Sequence, residues 1–378
     1  MSIPASRRPA IQTLTSLRFF AAFWVVLFHV HEIGLNTGGS TAYLAFALLG
    51  YLGVSFFFVL SGFILVYVYA GRSVTKGEFW QARFARIYPV YLFSLLVSFG
   101  TLMHFWPVTQ QRHLGALVLI AHPLLIEAWF PQLLLTWNPV AWTLSAEAFF
   151  YLLFPFLLPR LQKLEWPQLR LCLAGLWITS LIFTGGYVLL HPDGVLHTTA
   201  ADNQLFWLGV IKLNPIVRLP EFLLGMAVGV AFLRFRGRPQ NWPIAIGALL
   251  VLAGILFQRY IPFPMMHSGL LAPAFALLIF GFATQPAWTR PLAAKPLVLL
   301  GEASYSLYLL HSFFIVTAMI MFGRSPHLTL VTVATVLVAI LAAIIVYYLL
   351  ERPLRRLLHP RYKTPMVPNA TSDSVPAR

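Results

Sequence analysis

Long runs of hydrophobic residues alternate with short polar stretches along nearly the whole chain. A helix that crosses the roughly 30 Å hydrocarbon core of a bilayer needs about 20 apolar residues. Ten runs come close to this length or exceed it, and we predict one membrane-spanning helix for each. The predicted spans are 14–33, 43–70, 87–106, 141–159, 169–190, 215–234, 242–261, 268–285, 302–323 and 328–350. The pattern therefore predicts an all-α fold, a polytopic membrane helical bundle of about ten transmembrane helices.

A further apolar stretch lies at 114–135, between the third and fourth predicted spans. Its apolar pattern is interrupted by His122, Pro123, Glu127 and Pro131. Irregular backbone is tolerated at membrane depth only where protein or a water-filled cavity surrounds it. We therefore predict a re-entrant or interfacial segment near 114–135 that enters from the outer face, and not an eleventh span.

The distribution of charge sets the predicted orientation. The chain has 26 lysines and arginines, 11 aspartates and glutamates, and a formal net charge of +15. With the N-terminus inside, ten spans place 21 of the 26 basic residues on the cytoplasmic side, as the positive-inside rule requires. We therefore predict cytoplasmic N- and C-termini. The basic charge is attributed to cytoplasmic loops, and no nucleic-acid partner is expected.

Composition excludes several other classes of protein. Apolar residues make up 59% and charged residues 10%, whereas soluble domains average about 45–50% and about 25%. The single cysteine excludes an intramolecular disulfide scaffold. We predict a cytoplasmic N-terminal segment at 1–10, a membrane domain at 11–357, and a polar cytoplasmic tail at 358–378 that is expected to be disordered.

Ionisable residues within the first span are the first candidates for chemistry, because such residues are costly in a membrane and usually face a cavity or a partner. Arg18 and His29 are eleven residues apart, which puts them on nearly the same helix face and about 16 Å apart along the axis. Histidine exchanges protons near neutral pH, so His29 is a candidate catalytic base. The alternative is an arginine that snorkels to the interface and a histidine that only packs.

Two arginines precede the third span. Arg83 and Arg86 share one helical side, and Pro89 is compatible with a helix start at that point. Two guanidinium groups form a suitable site for a phosphate or a diphosphate, with Tyr88 beside them. The alternative is ordinary positive charge on the cytoplasmic side that contacts lipid headgroups.

A carboxyl group lies within the fourth span. Trp142 and Ser145 open this span from the outer side, and Glu147 follows with no basic residue nearby in the sequence. We predict that Glu147 donates or accepts a proton and that Trp142 and Ser145 line the acceptor site or a cavity. The alternative is a carboxyl group that forms a hydrogen bond for helix packing.

Polar side chains also occur in two later spans. Arg218 and Glu221 either pair with each other or order an acceptor pocket. In the ninth span, three polar groups at i, i+4 and i+7 indicate a cavity lining or interhelical hydrogen bonding. These are Ser304, Tyr308 and His311, with Tyr305 beside them. The histidines are scattered without a metal-ligand spacing, so no metal is predicted.

Six pieces of sequence, taken together and in order, resemble the acyltransferase-3 family of bacterial integral-membrane O-acyltransferases. The pieces are Leu17-Arg18 with ten residues before His29, Phe56–Phe63, Arg83-x-x-Arg86-Ile87-x-Pro89-x-Tyr91, Trp142–Glu147 with Phe150-Tyr151, Ser304–His311, and Glu351-Arg352-Pro353. The resemblance covers about 11–357. Ser55 departs from the family, which frequently has an aspartate there, so no catalytic role is expected of Ser55.

The resemblance implies a bacterial inner-membrane enzyme that transfers an acyl group, by default acetyl, from cytoplasmic acyl-CoA to a hydroxyl of a cell-surface glycan or other carbohydrate. Acyl-CoA is then a donor substrate, and no bound cofactor is expected. Arg18 and His29 form the implied essential pair, and Arg83 and Arg86 match the donor side, where we also place Tyr88. The expected partners are a carbohydrate or glycolipid acceptor, the lipid bilayer and polysaccharide-assembly proteins.

The resulting mechanistic hypothesis centres on His29. It acts either as a general base or as a transient acyl carrier, with Glu147 orienting it and Arg18 holding the donor or stabilising charge on the thioester oxygen. The alternative function is a transporter or flippase for a lipid-linked sugar or small solute, because ten spans with ionisable groups also suit translocation. No two-half repeat, which would favour a transporter, is visible in the sequence.

Overall fold

A computed structural model describes residues 8–35, 40–105, 114–133, 135–200, 202, 205–235 and 237–358. Its helices are α1 (Gln12–Glu32), α2 (Thr41–Ala47), α3 (Leu52–Tyr69), α4 (Lys76–Phe105), α5 (Gly115–Ala121), α6 (Trp142–Lys163), α7 (Trp166–Leu190), α8 (Phe206–Leu213), α9 (Pro215–Arg234), α10 (Trp242–Phe257), α11 (Phe263–His267), α12 (Ala272–Ala283), α13 (Lys295–Phe322), α14 (Leu328–Val346) and α15 (Arg352–Leu358). Within these ranges the chain forms helices, turns and loops without strands. Most of the N-terminal segment, nearly all of the predicted tail, Arg112 and Arg236 lie outside the described residues.

Ten helical stretches among the described residues are long and apolar enough to cross a membrane, so the predicted all-α membrane bundle is confirmed. Seven of these stretches consist of one α-helix with at most a short extension. Three combine two helices, namely α8 with α9, α11 with α12, and α14 with α15. Because ten is an even number of crossings, the start of α1 and the end of α15 lie at the same end of the bundle.

The second predicted span is shorter than its hydrophobic run. The run at 43–70 is divided into α2 and α3 by a turn that contains Gly50. A Cβ atom at Gly50 would collide with the main-chain carbonyl of Trp24 on α1. The Trp24 indole donates a 2.7 Å hydrogen bond to the carbonyl of Phe46, which fixes α2 against α1. The apolar character of α2 therefore serves packing at one end of the bundle.

The expected helix start at Pro89 is wrong, because α4 begins at Lys76 and contains Pro89 in its interior. The Thr75 side chain accepts a hydrogen bond from the Glu78 amide, and the Glu78 carboxylate accepts one from the Thr75 amide at 2.8 Å. This reciprocal capping box satisfies two amide groups that have no helical partner and starts the helix early. Arg83 therefore lies on the same continuous helix as the membrane-spanning residues.

The described residues of the segment near 114–135 do not form a spanning helix, as predicted. It consists of the seven-residue helix α5 followed by short 3₁₀ turns. Tyr91 on α4 donates a 2.6 Å hydrogen bond to the carbonyl of His122, and Ser145 on α6 donates a 2.7 Å bond to the carbonyl of Leu125. The bond from Ser145 satisfies a carbonyl group of the irregular backbone, and the bond from Tyr91 adds to the 2.8 Å hydrogen bond that the His122 carbonyl accepts from the Leu125 amide.

Glycines allow the helices of the core to approach one another closely. A Cβ atom at Gly62 on α3 would meet the Phe222 carbonyl, and one at Gly225 on α9 would meet the Val59 carbonyl. A Cβ atom at Gly301 on α13 would likewise meet the backbone of α1. Small residues at crossings are the usual device for tight packing of membrane helices. The close packing of α1 on α13 brings together two polar faces that are far apart in the sequence.

Candidate functional site

Four arginines surround a cavity of about 540 Å³ between α1, α3, α4, α6, α13 and α15. We call it the arginine cavity; its charged lining residues are Arg18, Arg83, Arg86, Glu147 and Arg355. Arg18 lies near the start of α1, and the two arginines of α4 lie near the start of that helix. The cavity therefore lies toward the end of the bundle at which α1 and α4 begin and α15 ends. Its charge strongly favours an anionic ligand.

The Arg83 guanidinium is held in place but not fully hydrogen-bonded. It donates a 3.2 Å hydrogen bond to the Tyr69 hydroxyl and lies 5.5 Å from the centre of the Tyr69 ring and 5.9 Å from that of Phe79. Its Nε atom is buried and has no hydrogen-bond acceptor among the described residues. Buried donors are normally satisfied, so this N–H group is available to a ligand.

Arg86 has a carboxylate partner at the same cavity. Its Nη1 lies 3.4 Å from Oε1 of Glu351, whose side chain is 1% exposed and accepts a 2.9 Å hydrogen bond from Ser306. Part of the charge of Arg86 is therefore neutralised. Glu351 belongs to the Glu-Arg-Pro sequence near the end of the membrane domain, and the same short helical region contributes Arg355 to the cavity. Sequence analysis assigned no site role to either residue.

Glu147 lines the arginine cavity and forms contacts within it. Tyr151 donates a 2.9 Å hydrogen bond to Oε2 of Glu147, and Ser61 lies 3.2 Å from the Tyr151 hydroxyl. Glu147 is also close enough to Arg18 and Arg83 for electrostatic attraction. The described contacts of His29 do not include Glu147. The structure therefore places Glu147 with the arginines and not in the position predicted for it, beside the histidine.

His29 instead lies against His311 of α13. Nδ1 of His29 is 3.2 Å from Nε2 of His311, and the ring centres are 5.0 Å apart. Nδ1 of His311 lies 3.2 Å from the Leu307 carbonyl, and Nδ1 of His29 lies 3.0 Å from the Val25 carbonyl. A carbonyl oxygen only accepts, so each Nδ1 must carry a hydrogen when the ring is neutral. This leaves Nε2 of His29 with a free lone pair.

The free Nε2 atom of His29 faces a carboxylate that sequence analysis did not select. Oε2 of Glu32 lies 3.7 Å from Nε2, and the Glu32 side chain is 27% exposed. The two residues are three positions apart on α1, a spacing that places side chains on the same helix face. The spacing was visible in the sequence, but Glu32 is at the end of the apolar run, where a solvated carboxylate is ordinary.

A second cavity, of about 1040 Å³, lies at the opposite end of the bundle from the arginine cavity. We call it the distal cavity. It is lined by Phe28 and Glu32 at the end of α1, by the loop after α7, and by residues between α10 and α12, including Tyr260 and Phe263. Phe28 packs on His29 with ring centres 5.0 Å apart, whereas Tyr308 of the arginine cavity lies 6.0 Å from the His311 ring centre. The two histidines therefore lie between the two cavities.

Tyr305 and Tyr308, for which the sequence left an acceptor site, a cavity lining and interhelical hydrogen bonding open, line the arginine cavity. Tyr305 donates a 2.7 Å hydrogen bond to the Ile87 carbonyl on α4. Thr143 on α6 donates a 3.1 Å bond to the Tyr308 hydroxyl. Ser304, on the same helix, also lines this cavity. Two of the three residues of the polar stripe of α13, Ser304 and Tyr308, thus line a cavity, whereas His311 lines neither described cavity and contacts His29 of α1.

Three other predicted site residues contact protein instead. Tyr88 donates a 3.2 Å hydrogen bond to the Pro123 carbonyl and does not line the arginine cavity, where it was predicted to contact the donor. Ser145 supports the same 114–133 segment. Trp142 is buried against Phe58, with ring centres 6.0 Å apart. None of the three lines either described cavity.

Arg218 and Glu221 form a fully buried ion pair with a nitrogen–oxygen distance of 2.9 Å. Arg218 also donates to Ser55 at 3.0 Å, to the His267 carbonyl at 2.8 Å, and to the Ser268 hydroxyl. The pairing that the sequence offered as one of two alternatives is thus observed. The pair joins α3, α9 and the residues after α11, and it lines neither described cavity. Ser55, where the family often has an acid, serves this network as an acceptor.

Comparison with known proteins identifies the chain. A family model described as an acyltransferase domain matches residues 11–352. Acyltransferase MdmB of Streptomyces mycarofaciens is 28% identical over 97% of both chains. O-acetyltransferase OatA of Staphylococcus aureus (strain NCTC 8325 / PS 47) is 26% identical over 91% of this chain and 57% of that protein. Exopolysaccharide production protein ExoZ of Rhizobium meliloti (strain 1021) is 32% identical over 82% of this chain and 90% of its own. No solved structure matches significantly.

These matches favour an enzyme over the transporter alternative, because the family and two of these relatives are named for acyl transfer. The matched region contains all ten candidate spans except part of the final helix, and it includes both histidines and three of the four arginines at the cavity. The chain therefore belongs to the acyltransferase-3 family of membrane acyltransferases.

Proposed function

We propose that the protein transfers an acyl group, by default acetyl, from acyl-CoA to a hydroxyl group of a carbohydrate. One observation carries this proposal: the pair of His29 and His311 lies between an arginine-lined cavity and a second cavity at the opposite end of the bundle. Neither histidine lines a cavity itself, but Tyr308 of the arginine cavity packs near His311 and Phe28 of the distal cavity packs on His29. In this proposal the donor reaches the pair past Tyr308 and the acceptor reaches it past Phe28.

The arginine cavity is the proposed donor site. The phosphate groups of coenzyme A are multiply anionic, and guanidinium groups bind phosphate by charge-assisted hydrogen bonds. Arg83 offers an unpaired Nε–H group, and Arg355 adds a charge from α15, which packs on α4. The pantetheine arm then extends past Tyr308 toward His311. Arg18, about 16 Å below His29 along α1, holds the donor and does not reach the reacting carbonyl.

We place the donor site on the cytoplasmic side of an inner membrane. The distribution of lysine and arginine supports cytoplasmic termini, and the arginine cavity lies toward the end of the bundle that carries them. Acyl-CoA is a cytoplasmic metabolite, so its proposed site and its source coincide. The distal cavity then faces the outer side, where cell-surface glycans are found. Polysaccharide-assembly proteins remain predicted partners.

Nε2 of His29 is the proposed reacting atom. In direct transfer it takes the proton of the acceptor hydroxyl while the new C–O bond forms and the C–S bond breaks, and the proton then passes to the thiolate of coenzyme A. In a two-step route, Nε2 attacks the thioester carbonyl, the C–S bond breaks and coenzyme A leaves as the thiolate. The acceptor hydroxyl then attacks the acyl-imidazolium, the C–N bond breaks to restore the neutral imidazole, and the hydroxyl proton neutralises the thiolate. Both routes need the lone pair that the contact with His311 fixes. Glu32 stabilises the cationic imidazolium in the direct route.

The names of two relatives together support transfer to an oxygen atom of a carbohydrate. ExoZ is named for exopolysaccharide production, and OatA is named an O-acetyltransferase. The large distal cavity provides space for an acceptor of that size. We therefore assign the acceptor class as a saccharide hydroxyl.

The test is transfer of label in inverted membrane vesicles. Acetyl-CoA labelled in the acetyl group is supplied with the glycan fraction of the host, and label is followed into glycan. Wild type is expected to incorporate label and His29→Ala to lose at least about 99% of the rate, because removal of a general base costs about 10²–10⁴-fold. His327→Ala, at an exposed histidine outside both cavities, is the matched control and is expected to retain activity. Substantial transfer by His29→Ala would remove this residue from the reaction.

A further inference from the structure

The two cavities differ sharply in charge. The arginine cavity has four guanidinium groups and one carboxylate in its lining. Among the described residues that line the distal cavity, only Glu32 and Arg259 carry a formal charge with histidine neutral. These two charges are of opposite sign. The lining of the distal cavity therefore carries almost no net charge, although this cavity is almost twice as large as the arginine cavity.

The only anionic group in the distal lining is at the reacting histidine. The Glu32 carboxylate lies 3.7 Å from Nε2 of His29. An acceptor hydroxyl that approaches Nε2 from this cavity must pass close to that carboxylate. Lys212, a cation outside the lining, attracts Glu32. Its ammonium group is itself held by the Ala200 carbonyl at 3.2 Å and lies 5.6 Å from the centre of the Phe263 ring. A negatively charged acceptor would be repelled by the Glu32 carboxylate where it approaches Nε2.

The one cationic side chain of the lining is already engaged at a distance from the reacting atom. Arg259 donates a 2.7 Å hydrogen bond to the Tyr260 hydroxyl, and its guanidinium lies 4.7 Å from the centre of the Tyr260 ring. The Arg259 guanidinium is therefore not free to bind a carboxylate or a phosphate with all of its donors. The cavity therefore lacks, among its described residues, the paired cations that an anionic sugar would require.

Aromatic rings form a fixed wall of the distal cavity. Tyr51 packs edge-on against Phe263 at 5.4 Å and against Phe28 at 5.7 Å between ring centres. Tyr51 also stacks on His267 at 5.1 Å. Tyr260, which is 68% exposed, adds an accessible ring to the lining. Rigid aromatic faces offer apolar contact area to the C–H face of a sugar ring.

Hydrogen-bonding groups complete the lining. His191 and His197 come from the loop after α7, which also contributes Thr198 and Thr199. Neutral histidine and threonine side chains each donate and accept hydrogen bonds, as sugar hydroxyls do. Pockets that combine aromatic walls with a few convergent polar groups are typical of small-molecule sites.

We propose that the distal cavity is the acceptor subsite and that it selects a neutral saccharide over an anionic one. This inference rests on the proposed acyl transfer and extends it by giving the acceptor a location and a charge class. Tyr260 and His197 are its proposed contacts, and Glu32 excludes acidic sugars from the reacting atom.

The test uses purified protein in detergent with acetyl-CoA and three probes: methyl glucoside, methyl N-acetylglucosaminide and methyl glucuronide. Acetylated glycoside is measured by mass spectrometry. Binding of each glycoside is measured separately by saturation-transfer NMR, which requires no turnover. The two neutral glycosides are expected to bind and to be acetylated, with a kcat/KM at least about tenfold above that of the glucuronide. Tyr260→Ala and His197→Ala are each expected to raise the KM for the neutral glycosides roughly three- to tenfold, with the KM for acetyl-CoA unchanged.

Tyr348→Ala is the matched control, because Tyr348 is 45% exposed and lines neither cavity. Its kinetics are expected to equal those of wild type. Unchanged glycoside KM values in both cavity variants, a preference for the glucuronide, or a wild type that binds no neutral glycoside would each overturn the inference. A wild type that binds the neutral glycosides but never consumes acetyl-CoA would instead overturn the proposed acyl transfer, so the two failures are distinguishable.

Discussion

Replacement of Arg83 by alanine is expected to weaken binding of the acyl donor while leaving the chemical step largely intact. Arg83 lines the arginine cavity but is far along the bundle from the histidine pair. Its guanidinium is fixed by the rings of Tyr69 and Phe79, so little side-chain entropy is lost when a phosphate binds. The expected result is a higher KM for acyl-CoA with little change in kcat.

The magnitude follows from the unmade hydrogen bond. The buried Nε of Arg83 has no acceptor among the described residues, and its hydrogen bond to Tyr69 uses only one of the terminal nitrogens. One charge-assisted hydrogen bond is worth about 1.5–3 kcal/mol, which corresponds to a factor of roughly 10–100 in KM. Arg83→Lys is expected to fall between wild type and Arg83→Ala, because lysine retains the charge but cannot place a donor at Nε.

The assay is the initial rate of label transfer against acetyl-CoA concentration at a fixed amount of glycan. Arg160→Ala is the control, since Arg160 is an exposed arginine that lies outside the arginine cavity and donates to the Phe156 carbonyl. Its KM is expected to equal that of wild type. A KM for Arg83→Ala within twofold of wild type would refute the assignment of this cavity to the donor.

Arg86 needs a different design, because its removal leaves the buried Glu351 carboxylate without its cation. An unpaired buried charge costs about 3–5 kcal/mol, so Arg86→Ala alone confuses folding with binding. Glu351→Gln in the same chain removes the stranded charge. If the double variant with Arg86→Ala and Glu351→Gln is recovered folded but its KM for acyl-CoA stays high, the role of Arg86 in donor binding is separated from its structural role.

Four further outcomes are expected. His311→Ala lowers kcat at least about tenfold with unchanged donor KM, and His311→Gln, whose amide oxygen can accept from the neighbouring imidazole, restores part of it in the label-transfer assay. Glu32→Gln lowers kcat by about tenfold in that assay by leaving the imidazolium unpaired. Gly225→Leu is expected to lower the free energy of unfolding in detergent by at least about 1–3 kcal/mol. Gly175→Leu, at a position where an added side chain meets open space, is expected to leave it unchanged. In a chain whose native cysteine has been replaced, Ile120→Cys, at an exposed position of α5, is expected to react with an impermeant maleimide added to the outer side and not with one added to the inner side. Labelling from the inner side would contradict the proposed topology.

Hydrophobic patterning predicted the ten spans and the non-spanning 114–133 segment, because bilayer thickness and backbone satisfaction act on local sequence. It missed the early start of α4, where the Thr75–Glu78 capping box lies outside the apolar run. Hydrogen bonds between side chains and the backbone set this helix start, and hydropathy does not report them.

The site was only partly predictable because helix packing determines which polar faces meet. The sequence identified His29 and His311 separately, but the contact between them depends on the close crossing of α1 and α13. Arg355 reaches the arginine cavity because α14 continues through a π turn into α15, which packs on α4. Glu147 lies in the arginine cavity, and this placement was not readable from its position on one helix.

The central claim is that donor and acceptor reach the histidine pair from opposite ends of the bundle. The most direct test uses sealed proteoliposomes in which the protein has one known orientation. Labelled acetyl-CoA is confined to the side of the chain termini, and a glycan acceptor is confined to the opposite side. The account predicts acetylated glycan on the acceptor side, and loss of this product when the two substrates exchange sides. Product that forms only when both substrates share one side would contradict it.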